Sequence, residues 1–177
     1  MSKTLKICSV EYNYLDYLRQ HDNMVSKDPT QRRKFIGILF EVNGHAYCAP
    51  LSSPKPKHLR IANDAPDVIK IDQGQLGIIN LNNMIPVVPS AIFPVDISTI
   101  PDPQYRELLR KQSRFIRAHE PTIMKKAIRL YHIVISGKQQ KLNDRCCHFS
   151  LLEQVAAQFG LVSSQAIQET AAGQDDD

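Results

Sequence analysis

Apolar residues in this chain of 177 follow two regimes. In the first half they form short alternating or continuous runs broken by Gly, Pro and Asn. In the second half they recur at helical spacing. Residues 5–10 read as a first strand. Asn13 is a candidate cap for a short helix over 14–20, with Asp16 in its first turn and Tyr14, Tyr17 and Leu18 forming one apolar, aromatic face. Residues 21–33 are polar, contain Asp28-Pro29 and read as a loop. The run 35–42 is nearly all apolar, the signature of a central strand covered on both faces. Asn43-Gly44 then predicts a two-residue hairpin turn, because both central positions require positive φ. In the partner strand His45 and Tyr47 share one face, and Ala46 and Cys48 the other.

A polar loop, Ser52-Ser53-Pro54-Lys55-Pro56-Lys57, follows the hairpin, and 58–66 looks irregular. Short strands are expected at 68–71, 76–81 and 85–88, with a turn at 72–75 and a corner at Asn82-Asn83. Pro86, Pro89, Pro94, Pro101 and Pro103 confine any strand at 91–97 to an edge or an interrupted one. Tyr105, Leu108, Leu109, Gln112, Phe115 and Ile116 have helical spacing. On the other side of that helix Arg106, Arg110, Arg114 and Arg117 fall within about 80° of one another, at about 100° per residue. Pro121 suits the first turn of the next helix, with core positions Met124, Ala127, Ile128, Tyr131 and Ile135 and a stop at Gly137. Ser150-Leu151-Leu152-Glu153 is a capping box that predicts a helix closing at Gly160. From about 163 onward the chain is small, polar and acidic. The expectation is one domain over 1–162 and a disordered acidic tail over 163–177. Strands first and helices later predict an α+β fold with a mostly antiparallel sheet. The βα alternation and Gly-rich phosphate loop of nucleotide-binding folds are missing, and no internal repeat is evident.

Composition narrows the function classes. No apolar run approaches the roughly 20 residues that cross a bilayer, and the N-terminus is too short and polar for a signal peptide, so a cytoplasmic protein is expected. Cys8, Cys48, Cys146 and Cys147 form no C-x-x-C pair. Cys146-Cys147-His148 can offer soft metal ligands, but reduced, partly buried thiols are the plainer reading. The net charge of +4 is unevenly spread. Lys27, Arg32, Arg33, Lys34, Lys55, Lys57 and Arg60 face only Asp28 and Glu41 between Met24 and Arg60. Ten Lys or Arg face two Glu between Tyr105 and Lys141. Such blocks suit a polyanion, although charge runs are as often solvated helix faces.

Scattered acids, with no D-x-D or H-E-x-x-H, argue against a metal site and for no cofactor. Ser53 lacks the elbow context of a serine hydrolase. The remaining set is basic and hydroxyl-bearing: Arg33, Lys34, Ser52, Ser53, Lys55, Lys57 and His58. It suits phosphodiester cleavage by the RNA's own 2′-OH, where the protein aligns the nucleophile, moves protons and holds charge on the phosphorane. Pro54 stiffens the link between Ser53 and Lys55, so both can converge on one phosphate. Alone, this loop reads as a polar turn.

Several spaced motifs together say more. Lys34-Phe35-Ile36-Gly37-Ile38, Asn43-Gly44-His45-x-Tyr47-x-Ala49-Pro50-Leu51-Ser52-Ser53-Pro54-Lys55 and Leu76-Gly77-Ile78-Ile79-Asn80-Leu81-Asn82-Asn83-Met84-Ile85-Pro86 resemble the ToxN/AbiQ family, endoribonuclease toxins of type III toxin–antitoxin systems. Phe115-Ile116-Arg117 and Phe149-Ser150-Leu151-Leu152-Glu153 extend the resemblance, which covers about residues 5–160. It implies a strongly twisted, mostly antiparallel sheet flanked by helices, similar to Kid/MazF toxins. It also implies metal-independent cleavage of adenine-rich RNA, including cellular and phage mRNA, to 2′,3′-cyclic phosphate and 5′-OH ends. The implied partner is a small pseudoknot RNA antitoxin, cut from a repeated precursor and closed with the toxin into a ring, three of each, with no role for DNA or membrane. The implied role is abortive infection.

Residue by residue, the resemblance implies catalytic roles for Ser53 and Lys55, with Ser52 where Thr is common. Its first-helix tyrosine falls on Tyr14, with Tyr12 and Tyr17 beside it. Arg33 stands where a relative has Lys. An arginine can hold phosphorane charge but cannot exchange a proton near pH 7, so either Lys55 carries the acid–base role or Arg33 is purely electrostatic with Lys34 on the sheet's other face. Lys34, Lys57, His58, Arg60, Arg106, Arg110, Arg114 and Arg117 are the expected RNA contacts. The alternative reading is a non-catalytic RNA-binding regulator on the same basic surface.

Overall fold

The structure is a computed structural model and describes residues 4–172. Its centre is the hairpin of β2 (Phe35–Val42) and β3 (His45–Ser52). Asn43 and Gly44 take φ of 51° and 78°, as a turn matching strand twist demands. Phe35 pairs with Pro50 and Val42 with His45, with one register shift between Gly37 and Glu41. The sheet is completed by β1 (Lys6–Val10), β4 (Val68–Lys70), β5 (Ile78–Asn80), β6 (Ile85–Val87) and β7 (Ile92–Pro94). Seven strands run antiparallel in the order β4-β5-β3-β2-β1-β7, with β6 also paired to β3. The α+β expectation holds. The proline-interrupted segment forms the short edge strand β7, as Pro94 allows, since it removes only an edge donor.

β3 serves two neighbours in succession. Ala46 to Cys48 pair with β6, whereas Leu51 and Ser52 pair with β5. The strand's end is therefore held from both sides until Ser52, after which the polar loop departs. Among the described residues the sheet is joined by helices α1 (Tyr12–His21), α2 (Pro103–Ala118), α3 (Glu120–Ser136), α4 (Gln140–Asn143) and α5 (Phe149–Ala172). Gly137 ends α3 at φ 67°, as expected.

Four local readings need correction. Glu11, not Asn13, caps α1, because its carboxylate accepts from the Tyr14 N–H at 2.7 Å. His148, not Ser150, caps α5 through its imidazole Nδ1, which accepts from Leu151 N–H at 3.1 Å. Ile135 stays 42% exposed, while Ile123 and Leu130 join Ala127 and Tyr131 in the core. Finally, α5 passes through Gly160 to Ala172, so the expected stop and the start of the tail are not observed. One interior Gly costs a helix only about 1 kcal/mol, and no Pro follows it. The remainder of the expected tail, 173–177, lies outside the described residues.

Candidate active site

Three segments converge on a pocket of about 680 Å³. The first is the loop before β2, contributing Asp28, Thr30, Arg32, Arg33 and Lys34. The second is the end of β3 and the loop beyond it, contributing Leu51, Ser52, Ser53 and Lys55. The third is the approach to α2, contributing Ile100, Pro101, Asp102 and Tyr105. Arg33, Lys34, Ser52, Ser53 and Lys55, read as functional from sequence, thus share one cavity.

Hydrogen bonds to the backbone hold each segment in place. Asp28 is 7% exposed, and its carboxylate accepts from the backbone N–H groups of Arg32 and Arg33 at 3.1 and 3.0 Å. That clasp turns the loop and delivers Arg33, whose Nε also donates to the Lys27 carbonyl at 3.2 Å. The Leu51 N–H bonds to the Lys34 carbonyl at 2.8 Å, tying the first segment to the second. Lys34 lies on the pocket with Arg33, not on the sheet's other face, because β2 and its strict alternation begin only at Phe35. The Ser53 hydroxyl and Lys55 ammonium make no hydrogen bond among the described residues.

The Ser52 hydroxyl accepts from the Asn80 amide at 2.8 Å. Behind it, Gly77 sits at φ 100°, where an added Cβ would meet the Ser52 carbonyl oxygen at 1.9 Å and Ser53 C at 3.2 Å. Only glycine allows that approach. The motif from Leu76 to Pro86 is thus the wall against which the two serines rest. Buried Gln112 of α2 holds that wall by donating to the Leu76 carbonyl at 2.8 Å.

Two sequence-assigned residues sit elsewhere. Tyr14 is fully buried under α1; its hydroxyl donates to the Pro86 carbonyl at 2.7 Å, and its ring meets Phe159 edge-on. Burial, aided by Cys48 and Tyr17, pushes its phenol well above the ordinary range. A substrate phosphate cannot reach it, so Tyr14 is a core residue. His58 is 1% exposed, and its Nδ1 accepts from the Lys55 N–H at 3.2 Å, so it is no surface contact for RNA. Burial first, then the charges of Lys57 and Lys55, hold its imidazole below the usual value. Lys57 and Arg60 are exposed and line, with Ser52, Lys55 and Asn80, a neighbouring pocket.

Tyr105, one of the helically spaced residues of α2, packs partly buried against the core and forms the pocket's aromatic wall. Burial and the Asp28 carboxylate raise its phenol above the ordinary value, while Arg33 opposes them. It keeps its proton at neutral pH. The signal was its place in the first turn of a helix announced by Asp102-Pro103, but helical spacing alone assigned it inward. On the arginine stripe, Arg106 is committed to the Ile100 carbonyl at 2.8 Å, and Arg110 lies 3.8 Å from Glu107. Arg110, Arg114 and Arg117 are exposed. Cys8, Cys48, Cys146 and Cys147 are buried thiols, and burial raises Cys146 to about 12. Among the described residues no three His, Cys, Asp or Glu side chains gather as a metal site, and no helix is long and apolar enough to cross a membrane.

Residues 6–157 match the family model for the toxin ToxN of type III toxin–antitoxin systems. The chain is 36% identical to endoribonuclease ToxN of Pectobacterium atrosepticum over 88% of its own length and 94% of the relative's. Two solved structures share its fold. One belongs to a bacterial antiviral system regulated by a processed non-coding RNA, at TM-score 0.77 and 36% identity over 88% of this chain and 99% of the other. The second is a type III toxin selectively inhibited by a non-coding RNA pseudoknot, at TM-score 0.78 and 30% identity over 89% and 99%. The chain belongs to the ToxN family of type III toxin–antitoxin systems and is an endoribonuclease.

Proposed function

We propose that this chain cuts adenine-rich RNA without a metal, by attack of the 2′-hydroxyl on the adjacent phosphate, leaving 2′,3′-cyclic phosphate and 5′-OH ends. The observation that carries the reading is the meeting of Arg33, Lys34, Ser52, Ser53 and Lys55 on one cavity, with the Ser53 hydroxyl and Lys55 ammonium uncommitted. Arg33 and Lys34 hold the phosphate and the extra charge of the phosphorane. The Ser52 and Ser53 hydroxyls bond its oxygens. The 2′-hydroxyl proton passes to water, the Lys55 ammonium lies against the phosphorane charge, and the Tyr105 phenol protonates the departing 5′ oxygen and regains its proton from water.

On this reading the chain also matures and is held inactive by its own pseudoknot RNA, in a closed ring of three proteins and three RNAs, and its release during phage infection stops growth. Lys57 and Arg60 beside the pocket, and Arg110, Arg114 and Arg117 on α2, contact RNA backbone. Charge reversal at Arg110 and Arg114 then weakens protection by the antitoxin, and intact protection would remove the stripe from the interface. The central test is Ser53→Ala. It abolishes RNA cleavage and growth arrest while antitoxin RNA still binds. Cleavage by the wild-type protein persists in EDTA and disappears on a substrate with a single 2′-deoxy residue at the cut. Cleavage by Ser53→Ala, or of the 2′-deoxy substrate, moves the chemistry elsewhere, and loss of cleavage in EDTA overturns the metal-free reading.

A further inference from the structure

Lys55 carries a central role in the proposed chemistry, yet its side chain is exposed and stands on a loop between two prolines. Something must fix its backbone, and one residue holds both of its polar groups. The Lys55 N–H donates to His58 Nδ1 at 3.2 Å, and the Lys55 carbonyl accepts from the His58 N–H at 2.9 Å. His58 sits in the short 3-10 turn Pro56–Arg60 and is the buried residue of that turn. The Lys55 amide is a donor, and the imidazole Nδ1 is the acceptor that satisfies it.

His58 is itself held from behind. Gly74, at φ 90°, brings its backbone so close that a Cβ would stand 2.9 Å from the His58 carbonyl oxygen. Gly74 belongs to the same 71–77 loop as Gly77, which backs Ser52 and Ser53. That loop is closed by its own backbone bonds, Gly74 N–H to Ile71 O at 3.0 Å and Ile71 N–H to Gly77 O at 3.0 Å. One rigid loop therefore supports the serines through Gly77 and the lysine through Gly74 and His58.

We propose that His58 is a positioning residue for Lys55, acting through an unprotonated Nδ1 that accepts the Lys55 backbone N–H, with the ring proton on Nε2. The inference rests on the site reading given above. His58 touches no RNA; it sets where the ammonium stands. Misplacing a reacting group by about 1 Å costs on the order of 100-fold in rate without a matching loss of binding.

The test compares side chains that keep or move the acceptor. Asn carries its oxygen at the place of Nδ1, whereas Gln carries it one bond further out. Single-turnover cleavage of an RNA oligonucleotide should fall at least about tenfold in kcat for His58→Gln and His58→Ala, with KM within about twofold, and return to within about threefold for His58→Asn. Lys55→Ala and Ser53→Ala run beside them. If these two cleave normally, the site reading fails; if they are inactive and His58→Gln cleaves normally, only the positioning role fails. A rise in KM at unchanged kcat, or His58→Asn as poor as His58→Gln, also overturns it. Nitrogen NMR of the wild-type protein gives a reading independent of any variant's folding. The His58 ring must show a bare Nδ1 and a protonated Nε2, and the opposite tautomer overturns the proposal.

Discussion

Two polar clusters in this molecule use hydroxyls and charges in opposite ways. In the core, the Tyr47 and Tyr131 hydroxyls both donate to Oε1 of Glu153 at 2.8 Å, joining β3, α3 and α5. Phe40 stacks on Tyr47 at 4.8 Å, and Phe149 packs against both tyrosines. Both phenols and the carboxylate oxygen they share are spent on one another. In the pocket the bonds of Asp28, His58 and the Leu51–Lys34 pairing run to backbone and the Asn80 amide takes the Ser52 hydroxyl, while Ser53 and Lys55 keep their side chains unspent. A polar group that stabilises the fold has found its partner inside the protein. A polar group built for substrate is fixed by its backbone and left without one.

The contrast breaks most visibly at Arg33. Arg33→Ala should reduce cleavage by about 100- to 1,000-fold, the range for removing a group that holds transition-state charge. The melting temperature should stay within about 2 °C, because one partly exposed hydrogen bond is lost. A cleavage loss matched by unfolding would make Arg33 a fold residue like Glu153. Next in size, Tyr105→Phe should lower kcat by about 100-fold if the phenol is the acid, and a rate near wild type would leave it a wall of the pocket only.

The core cluster should answer in the opposite currency. Glu153→Ala leaves two buried phenols without an acceptor and should cost about 2–3 kcal/mol of stability. For a chain of this size that is a drop of roughly 4–12 °C in melting temperature. Cleavage per folded molecule should stay near wild type. Unchanged melting with lost cleavage would assign Glu153 to the site.

How much of this was legible in the residues depends on what fixes each position. The hairpin was readable because Asn43-Gly44 and the apolar run 35–42 are local signals that tertiary contacts only confirm. Ser52, Ser53 and Lys55 were readable as one group because they are neighbours in sequence, and Arg33 and Lys34 because they enter the paired strand. Tyr14 and Tyr105 were exchanged in role: both lie on amphipathic helices, and helical spacing cannot tell a phenol that meets the Pro86 carbonyl from one that faces Asp28 and Arg33. His58 and Gly77 were missed as supports for a different reason. Their roles come from a non-local approach, the 71–77 loop pressing on the end of β3, and no spacing rule encodes which glycine meets which carbonyl. The length of α5 was misjudged because a single Gly was given the weight of a stop.

The smallest expected effect separates the clusters by pH. Tyr131 is pushed up to about 12 and Tyr47 above it, by burial first and the Glu153 hydrogen bond second, so neither phenol changes charge between pH 5 and 8. The ordinary value of a histidine does lie in that window. The folded value of His58 is held below the ordinary one near 6.5 by burial and by Lys57 and Lys55. Below about pH 6.5 the unfolded chain therefore binds more protons at this residue than the folded chain. Linkage makes its contribution fully present above that pH and progressively lost as pH falls toward the folded value. The measurement is a difference, the unfolding free energy of wild type minus that of His58→Asn, which has no proton to bind there. That difference should shrink as pH falls from 7 to 5 and stay flat from 7 to 8. The same subtraction for Tyr131→Phe should be flat throughout. A flat His58 difference would mean that its ring meets the Lys55 amide no more firmly in the folded state than in the unfolded chain, and the support of the pocket would then rest on Gly74 and Gly77 alone.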